Sequence, residues 1–348
     1  MINVLIVDDS ALIREFLSEL LKGNPDINVV AAMPHPYKAV DVINNNKIDV
    51  IILDIEMPFM DGLVFLEKIM KQRPIPVIIC SSVAEEGSAN AIKALQLGAV
   101  DVITKAKLGI KDFFKEEKER IIESIKAASK ANLASIKKNI KSTAQLKSKI
   151  RDKSGLVDST KKIVAIGAST GGTIVLRSIL SRLPANVHGL VITQHMPEDF
   201  TKRFSESLND VCDINVKEAE NGDHVLVGNA IIAKGDFHLK VEKNGAFSQC
   251  LLTKDKKVNR QRPSVDVMFE SIAESAGRNA LGILLTGMGK DGAAGLKSIR
   301  EAGGLTIAQN EESCAVFGMP KAAIETGAAD LVLDIDGIVN YIIEYGNN

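Results

Sequence analysis

Short apolar runs, each ending abruptly in a polar residue and followed by a segment of helical spacing, recur along this chain and constrain its fold more than any other feature. Residues 2–7 (INVLIV) end in Asp8-Asp9-Ser10, after which Ala11, Leu12, Phe16, Leu20 and Leu21 keep a helical period. Val50 to Leu53 ends in Asp54, Pro76 to Cys80 in Ser81-Ser82, and Asp101 to Thr104 in Lys105, with helical stretches such as 62–71 and 88–97 between them. Runs without polar alternation are strands buried on both faces, and their alternation with helices predicts a parallel, doubly wound α/β sheet. The pattern restarts at Ile163 (IVAIGASTGG), Gly189 to Gln194 and Ala280 to Leu285, which predicts a second sheet of the same kind. The expected fold class is therefore α/β, with two doubly wound, mainly parallel-sheet domains.

At 348 residues the chain is longer than one core usually serves. A helical period continues from Asp112 to about Lys130, and residues 131–153 are then rich in Lys, Ser and Ala with no aromatic, the composition of a linker. Expected boundaries are 1–128, a basic flexible linker 129–158, and 159–348. The linker's lysines, among them Lys137, Lys138 and Lys141, suit either an acidic partner or plain solvation. A net charge of -1 gives no general pull toward nucleic acid, and no apolar run has the length of a membrane span. With no secretory signal pattern and with Cys80, Cys212, Cys250 and Cys314 scattered without paired spacing, a cytoplasmic protein with reduced thiols is expected.

In open α/β sheets, ligands bind outside the carboxyl ends of the strands, and Asp8, Asp9, Asp54, Ser81 and Lys105 all fall there. Crowded carboxylates call for a hard cation with oxygen ligands, Mg²⁺ where phosphate is handled, and a lysine beside them completes a phosphoryl pocket. Asp54, ending a central strand, is the expected acceptor of an aspartyl phosphate. Residues 1 to about 128 resemble the receiver domain of bacterial two-component response regulators, a flavodoxin-like fold, through Asp8-Asp9, the run DIEMP from Asp54, Asp61-Gly62, Ser81 and Lys105. The resemblance implies Mg²⁺ held by Asp8, Asp9, Asp54 and the backbone carbonyl of Glu56, with Ser81 and Lys105 on the phosphoryl oxygens and a histidine kinase as phosphodonor. Two positions depart from the receiver pattern: Ala106 replaces the usual proline after the lysine, and Val102 replaces an aromatic switch residue.

In the second half, Gly167-Ala168-Ser169-Thr170-Gly171 fits the G-x-S-x-G pattern of a serine on a strand-to-helix turn. Gly and Ser are common enough that about one such match in eight chains of this length arises by chance, so its strand-turn-helix context carries the reading. A phosphate loop is disfavoured because Thr173 stands where that loop needs lysine. His195 ends a second strand and Asp291 follows a third, so the crevice rule gathers Ser, His and Asp, the residue types of acyl transfer. Asp291 also suits a plain helix cap. Backbone N–H groups near Met288 are candidate oxyanion donors.

The strings GASTGGT, QHMP, NRQRPSVDV, LLTGMGKDGAAG and AQNEESCAVFGMP resemble the catalytic domain of chemotaxis protein-glutamate methylesterases of the CheB type. That resemblance implies Ser169, His195 and Asp291 as a triad lined by Thr170 and Met288. It also implies methyl-ester hydrolysis and glutamine deamidation on chemoreceptors under receiver control, with no cofactor for the hydrolysis. The rival classes are a non-enzymatic response regulator and a cytoplasmic serine peptidase. Arg260 and Arg262 suit either recognition of acidic receptor helices or internal ion pairs holding a turn.

Overall fold

The computed structural model describes residues 1–58, 60–82, 85–105, 111–144, 162–245 and 247–347, in two compact units, 1–134 and 135–348. The first unit runs β1 (Ile2–Val7), α1 (Ala11–Leu21), β2 (Ile27–Met33), α2 (Pro36–Asn45), β3 (Val50–Asp54), α3 (Gly62–Gln72), β4 (Val77–Ser81), α4 (Glu85–Gln96), β5 (Asp101–Thr104) and α5 (Lys111–Ala128). Its five strands pair in parallel in the order β2-β1-β3-β4-β5. Every residue of β3 and β4 is buried, which is why those segments read as uninterrupted apolar runs. Ser10 caps α1 by accepting from the Ile13 amide, and Asp61 caps α3 from Leu63 at 2.7 Å, so polar residues after strands also start helices.

The second unit carries α6 (Leu133–Ala144), β6 (Ile163–Ala168), α7 (Gly172–Leu180), β7 (Gly189–Gln194), α8 (Glu198–Asn209), β8 (Asn215–Glu218), β9 (Asn229–Ile232), β10 (His238–Asn244) and β11 (Phe247–Thr253). There follow α9 (Val265–Ala276), β12 (Ala280–Leu284), α10 (Ala293–Glu301), β13 (Leu305–Gln309), α11 (Met319–Glu325), β14 (Leu331–Leu333) and α12 (Ile335–Asn347). Seven strands form one parallel sheet in the order β14-β13-β12-β6-β7-β9-β8, and β10 pairs antiparallel with β11 as a separate ribbon. One apolar cluster, centred on Val265, Met268, Phe269 and Ile272 of α9, packs this ribbon and α10 against the sheet.

Helix α6 lies inside the stretch expected to be a flexible linker, and the division between the units falls at 134/135, within it. Ile136 is 1 % exposed and Ser135 donates to the Ser313 carbonyl at 2.5 Å, so most of α6 belongs to the second unit. Its apolar spacing, Leu133, Ile136 and Ile140, is an amphipathic signal hidden under a lysine-rich composition. Ala106 and residues 145–158 lie outside the described residues. Among the described residues no helix is long and apolar enough to cross a membrane. All four cysteines are free and buried.

Candidate active site

The chain leaves β6 toward β7 on one side and later returns to β12 on the other, so the carboxyl edge beside β6 is a topological switch point. Ser169 follows β6, His195 follows β7, and Asp291 lies in the turn after β12. Backbone bonds knit the three tips together: His195 N to the Ala168 carbonyl at 3.0 Å, Ser169 N to the Thr286 carbonyl at 3.0 Å, and Leu285 N to the Gly167 carbonyl at 2.8 Å. With Ala168 paired to Gln194 in the register, Ser169 and His195 are the next residues on adjacent strands.

Two glycines make the serine turn possible. Gly171 has φ +75°, and a Cβ there would lie 2.3 Å from the Ala315 Cβ; a Cβ on Gly287 would lie 2.6 Å from the Ser169 Cβ. Ser169 is partly exposed, Thr170 is buried, and Met288 is half-buried. Among the described residues no other group accepts from the backbone N–H of Thr170 or Met288.

His195 Nε2 lies 2.8 Å from Asp291 Oδ2, while the buried Nδ1 has no hydrogen-bond partner among the described residues. A carboxylate only accepts, so Nε2 carries the proton and Nδ1 keeps the lone pair. Asp291 also accepts from Val265 N at 2.7 Å, Ser264 Oγ at 2.7 Å and Asn259 Nδ2 at 2.8 Å. Burial alone would raise its carboxyl, but the hydrogen bonds from His195, Asn259 and Ser264 outweigh that and hold it well below the usual carboxylate range. The donors Ser264 and Val265 stand at the start of α9, whose amide end favours an anion.

In the first unit, Asp8, Asp9 and Asp54 offer carboxylate oxygens all within 4.8 Å of one another. Lys105 Nζ lies 2.7 Å from Asp54 Oδ2 and 3.1 Å from Asp8 Oδ2. Burial raises the Asp54 carboxyl to about 6 despite the hydrogen bond from Lys105, and burial likewise raises Asp8. Ser81 ends β4 in the same edge and is buried. An all-oxygen, all-carboxylate donor set fits a hard divalent cation such as Mg²⁺.

The CheB methylesterase family model matches residues 164–342, and the response regulator receiver domain model matches residues 4–111. The chain belongs to the CheB methylesterase family. A protein-glutamate methylesterase/protein-glutamine glutaminase of Chromohalobacter salexigens is 50% identical over 94% of this chain and 91% of its own length. One from Escherichia coli with the same description is 48% identical over 97% and 95%. The CheB methylesterase catalytic domain of Thermotoga maritima superposes with a TM-score of 0.52 at 42% identity, covering 54% of this chain and 99% of that one.

Within this CheB-family frame, the structure brings Ser169, Thr170, His195, Met288 and Asp291 to one sheet edge and Asp8, Asp9, Asp54, Ser81 and Lys105 to another. Glu56 is exposed beside the second, its amide donating to Asp54 Oδ1 at 3.2 Å. The arginine pair divides. Arg262 is bound internally, with Nη2 2.6 Å and Nε 3.0 Å from Asp236 Oδ1 and Nη1 3.0 Å from the Asp255 carbonyl, whereas Arg260 is exposed. Sequence reasoning missed Asn259, Ser264 and Asp266, although all three sit in the NRQRPSVDV string. It also missed Gln194, whose Nε2 donates to the carbonyl of Ser169 at 2.9 Å. His238 is fully buried, with Nε2 3.0 Å from the Lys256 carbonyl and Nδ1 accepting from Ser264 N at 3.2 Å, so it backs the same helix start.

Proposed function

We propose that this chain hydrolyses γ-glutamyl methyl esters on chemoreceptors and deamidates receptor glutamines, with Ser169 as nucleophile, His195 as base, Asp291 as its orienting carboxylate, and the receiver as control. The observation that carries this reading is the His195–Asp291 pair, bonded through Nε2 and leaving a buried, unpartnered Nδ1 at the strand end next to Ser169.

Ser169 Oγ attacks the ester carbonyl carbon as its proton passes to Nδ1. Asp291 stabilises the imidazolium through Nε2–H, and the N–H groups of Thr170 and Met288 receive the oxyanion. When the tetrahedral intermediate collapses, the carbon–oxygen bond to methoxide breaks and Nδ1–H supplies the proton, so methanol leaves and an acyl-serine remains. Water then attacks that ester, gives a proton to Nδ1, and releases the glutamate carboxylate and Ser169. With a glutamine substrate the first leaving group is ammonia.

In the receiver, Asp54 is the acceptor of the phosphoryl group. Asp8, Asp9, Asp54 and the Glu56 carbonyl would hold Mg²⁺, which would neutralise charge on the phosphoryl oxygens, while Lys105 and Ser81 meet those oxygens directly. A kinase phosphodonor follows from the receiver's presence. Coupling energies between such sites are typically about 1 to 3 kcal/mol, so phosphorylation should raise esterase activity by roughly 5-fold to 150-fold.

The test is methanol release from receptor membranes carrying labelled methyl groups, assayed beside general peptide cleavage and with or without a small phosphodonor and Mg²⁺. Receptor-specific methanol release that rises with phosphodonor, and no longer does so in Asp54→Asn, supports the reading. Peptide cleavage without methanol release would make the chain a peptidase, and no hydrolysis at all would leave a binding protein.

A further inference from the structure

The NRQRPSVDV string is absorbed by neither the nucleophile turn nor the receiver, yet it supplies most of the shell around Asp291. Its first residue carries an unusual backbone. Val258 and Gln261 exchange both backbone hydrogen bonds, at 3.1 and 2.8 Å, around the two-residue loop Asn259-Arg260, whose φ values are +50° and +64°. That is a tight hairpin turn with both central residues left-handed, a conformation that side chains other than glycine adopt at some cost and asparagine tolerates best. The turn sends the two side chains apart in role. Both residues are exposed, yet the Asn259 amide bonds two buried carboxylates, Nδ2 lying 2.8 Å from Asp291 Oδ1 and 2.7 Å from Asp266 Oδ2.

We infer that Asn259 is a positioning residue for hydrolysis, its amide standing between two buried carboxylates and fixing Asp291 against His195. This rests on the reading of Ser169, His195 and Asp291 given above.

Asp291 and Asp266 are both buried and repel one another as anions. One –NH₂ group has two hydrogens, and here each goes to a different carboxylate, so a single side chain satisfies both and lies between their charges. Asp266 is anchored on its other oxygen by Gly295 N at 2.7 Å; on Asp291, Ser264 Oγ shares Oδ1 with Asn259 at 2.7 Å, and the other oxygen, Oδ2, accepts from Val265 N at 2.7 Å and faces His195 Nε2. Burial and the neighbouring Asp291 raise the Asp266 carboxyl, while the hydrogen bonds from His195, Asn259 and Ser264 hold Asp291 low. The other ionisable groups around Asp291 are Glu270 on α9, His238 on β10 behind Ser264, and Lys290 and Arg260, both exposed.

The direction of the effect follows. Without the amide, Asp291 loses a donor and faces Asp266 unshielded, which makes the potential at His195 more negative and favours its imidazolium. The base then needs a higher pH to be neutral, so the acid limb of the rate profile moves up.

The experiment is the pH dependence of kcat/KM for the full chain and its Asn259→Gly variant on a small methyl ester and on receptor membranes. Glycine keeps the left-handed turn without strain and removes only the amide. Expected are an acid limb moved up on the order of half to one pH unit and a kcat lowered roughly 10- to 100-fold, with KM near wild type and a thermal midpoint lowered by a few degrees for the donor lost to two buried carboxylates. Asn259→Asp, which adds a third carboxylate, should move the limb further in the same direction. An unmoved limb, whether the rate is unchanged or lowered equally at every pH, would overturn the positioning role. Ser169→Ala, assayed alongside, separates the two readings: a dead Ser169→Ala with a normal Asn259→Gly refutes only the role of Asn259, whereas an active Ser169→Ala refutes the serine mechanism.

Discussion

His195 meets Asp291 through Nε2, at 2.8 Å, and leaves its buried Nδ1 without a hydrogen-bond partner among the described residues. This is the reverse of the serine protease triad, where Nδ1 faces the carboxylate and Nε2 the serine. The proposed roles fit this arrangement nevertheless, because either ring nitrogen is a competent base once the other is held protonated. Ser169→Ala should therefore abolish methanol and ammonia release together, by about 10⁴-fold or more. Asp291→Asn should cost roughly 10³- to 10⁴-fold, because an amide in place of the carboxylate can stabilise the wrong imidazole tautomer. Near wild-type methanol release from Ser169→Ala would remove the serine mechanism.

Asp54 makes the receiver's stability depend on pH. Its carboxyl titrates near 3.8 in an unfolded chain and at about 6 when folded, so between those values the folded chain holds a proton that the unfolded chain has released. Stability accordingly falls as pH rises across that window and stays lower above it. Asp54→Asn should stabilise the first unit at pH 7.5 without Mg²⁺, by up to roughly 3 kcal/mol, and have little effect at pH 3.5. Urea melts at the two pH values decide it; a destabilised Asp54→Asn at pH 7.5 would mean that the Lys105 pairing outweighs the cost of burial.

Charge reversal should now separate the two arginines. Arg262→Glu removes both contacts to Asp236 and those to two backbone carbonyls, so it should lower the thermal midpoint and depress activity on every substrate. Arg260→Glu, at an exposed position, should weaken hydrolysis of receptor esters more than that of a small neutral ester. Equal loss on both substrates would assign Arg260 to the turn alone.

A catalytic fragment beginning near Lys153 is expected to escape inhibition by the receiver, yet it also loses α6, with Ile136 buried and Ser135 bonded to Ser313. A fragment beginning near Asn132 keeps that helix and should melt several degrees higher. If it also exceeds the unphosphorylated full chain in esterase rate, covering by the receiver is the mode of control. If it does not, the receiver must act as a positive activator.

Gly287 tests the closeness of the serine turn. A methyl group there meets Met319 Sδ at 2.4 Å and the Ser169 Cβ at 2.6 Å, so Gly287→Ala should cost most of kcat by displacing the nucleophile. A fully active Gly287→Ala would show that the turn yields without moving Ser169.

The parallel strands beside the two sites were legible because burial on both faces leaves an unbroken apolar run, as in β3, β4 and β6, and because each run stops at or just before a polar candidate residue, Asp54, Ser81 or Ser169. Strands β2 and β8 were not, since each lies at a sheet edge where one-sided burial admits polar and small residues. The ribbon β10–β11 shows the same mixture. Asn259 escaped for another reason: its contacts join positions 7 and 32 residues away through a turn that only three-dimensional structure reveals. Helix α6 was obscured by lysine composition, although its apolar residues keep a helical period.

The four buried cysteines make the native chain a silent background for thiol chemistry. Burial pushes the Cys250 thiol up to about 12 and raises Cys80 and Cys314 as well, so at neutral pH little reactive thiolate forms and none of the four faces solvent. A single cysteine placed at exposed Lys137 or Lys138 on α6 would therefore take a fluorophore or spin label alone, with no native cysteine removed. Environment-sensitive emission from that site, followed as phosphodonor is added, would report in real time whether the helix feels the chemistry at Asp54.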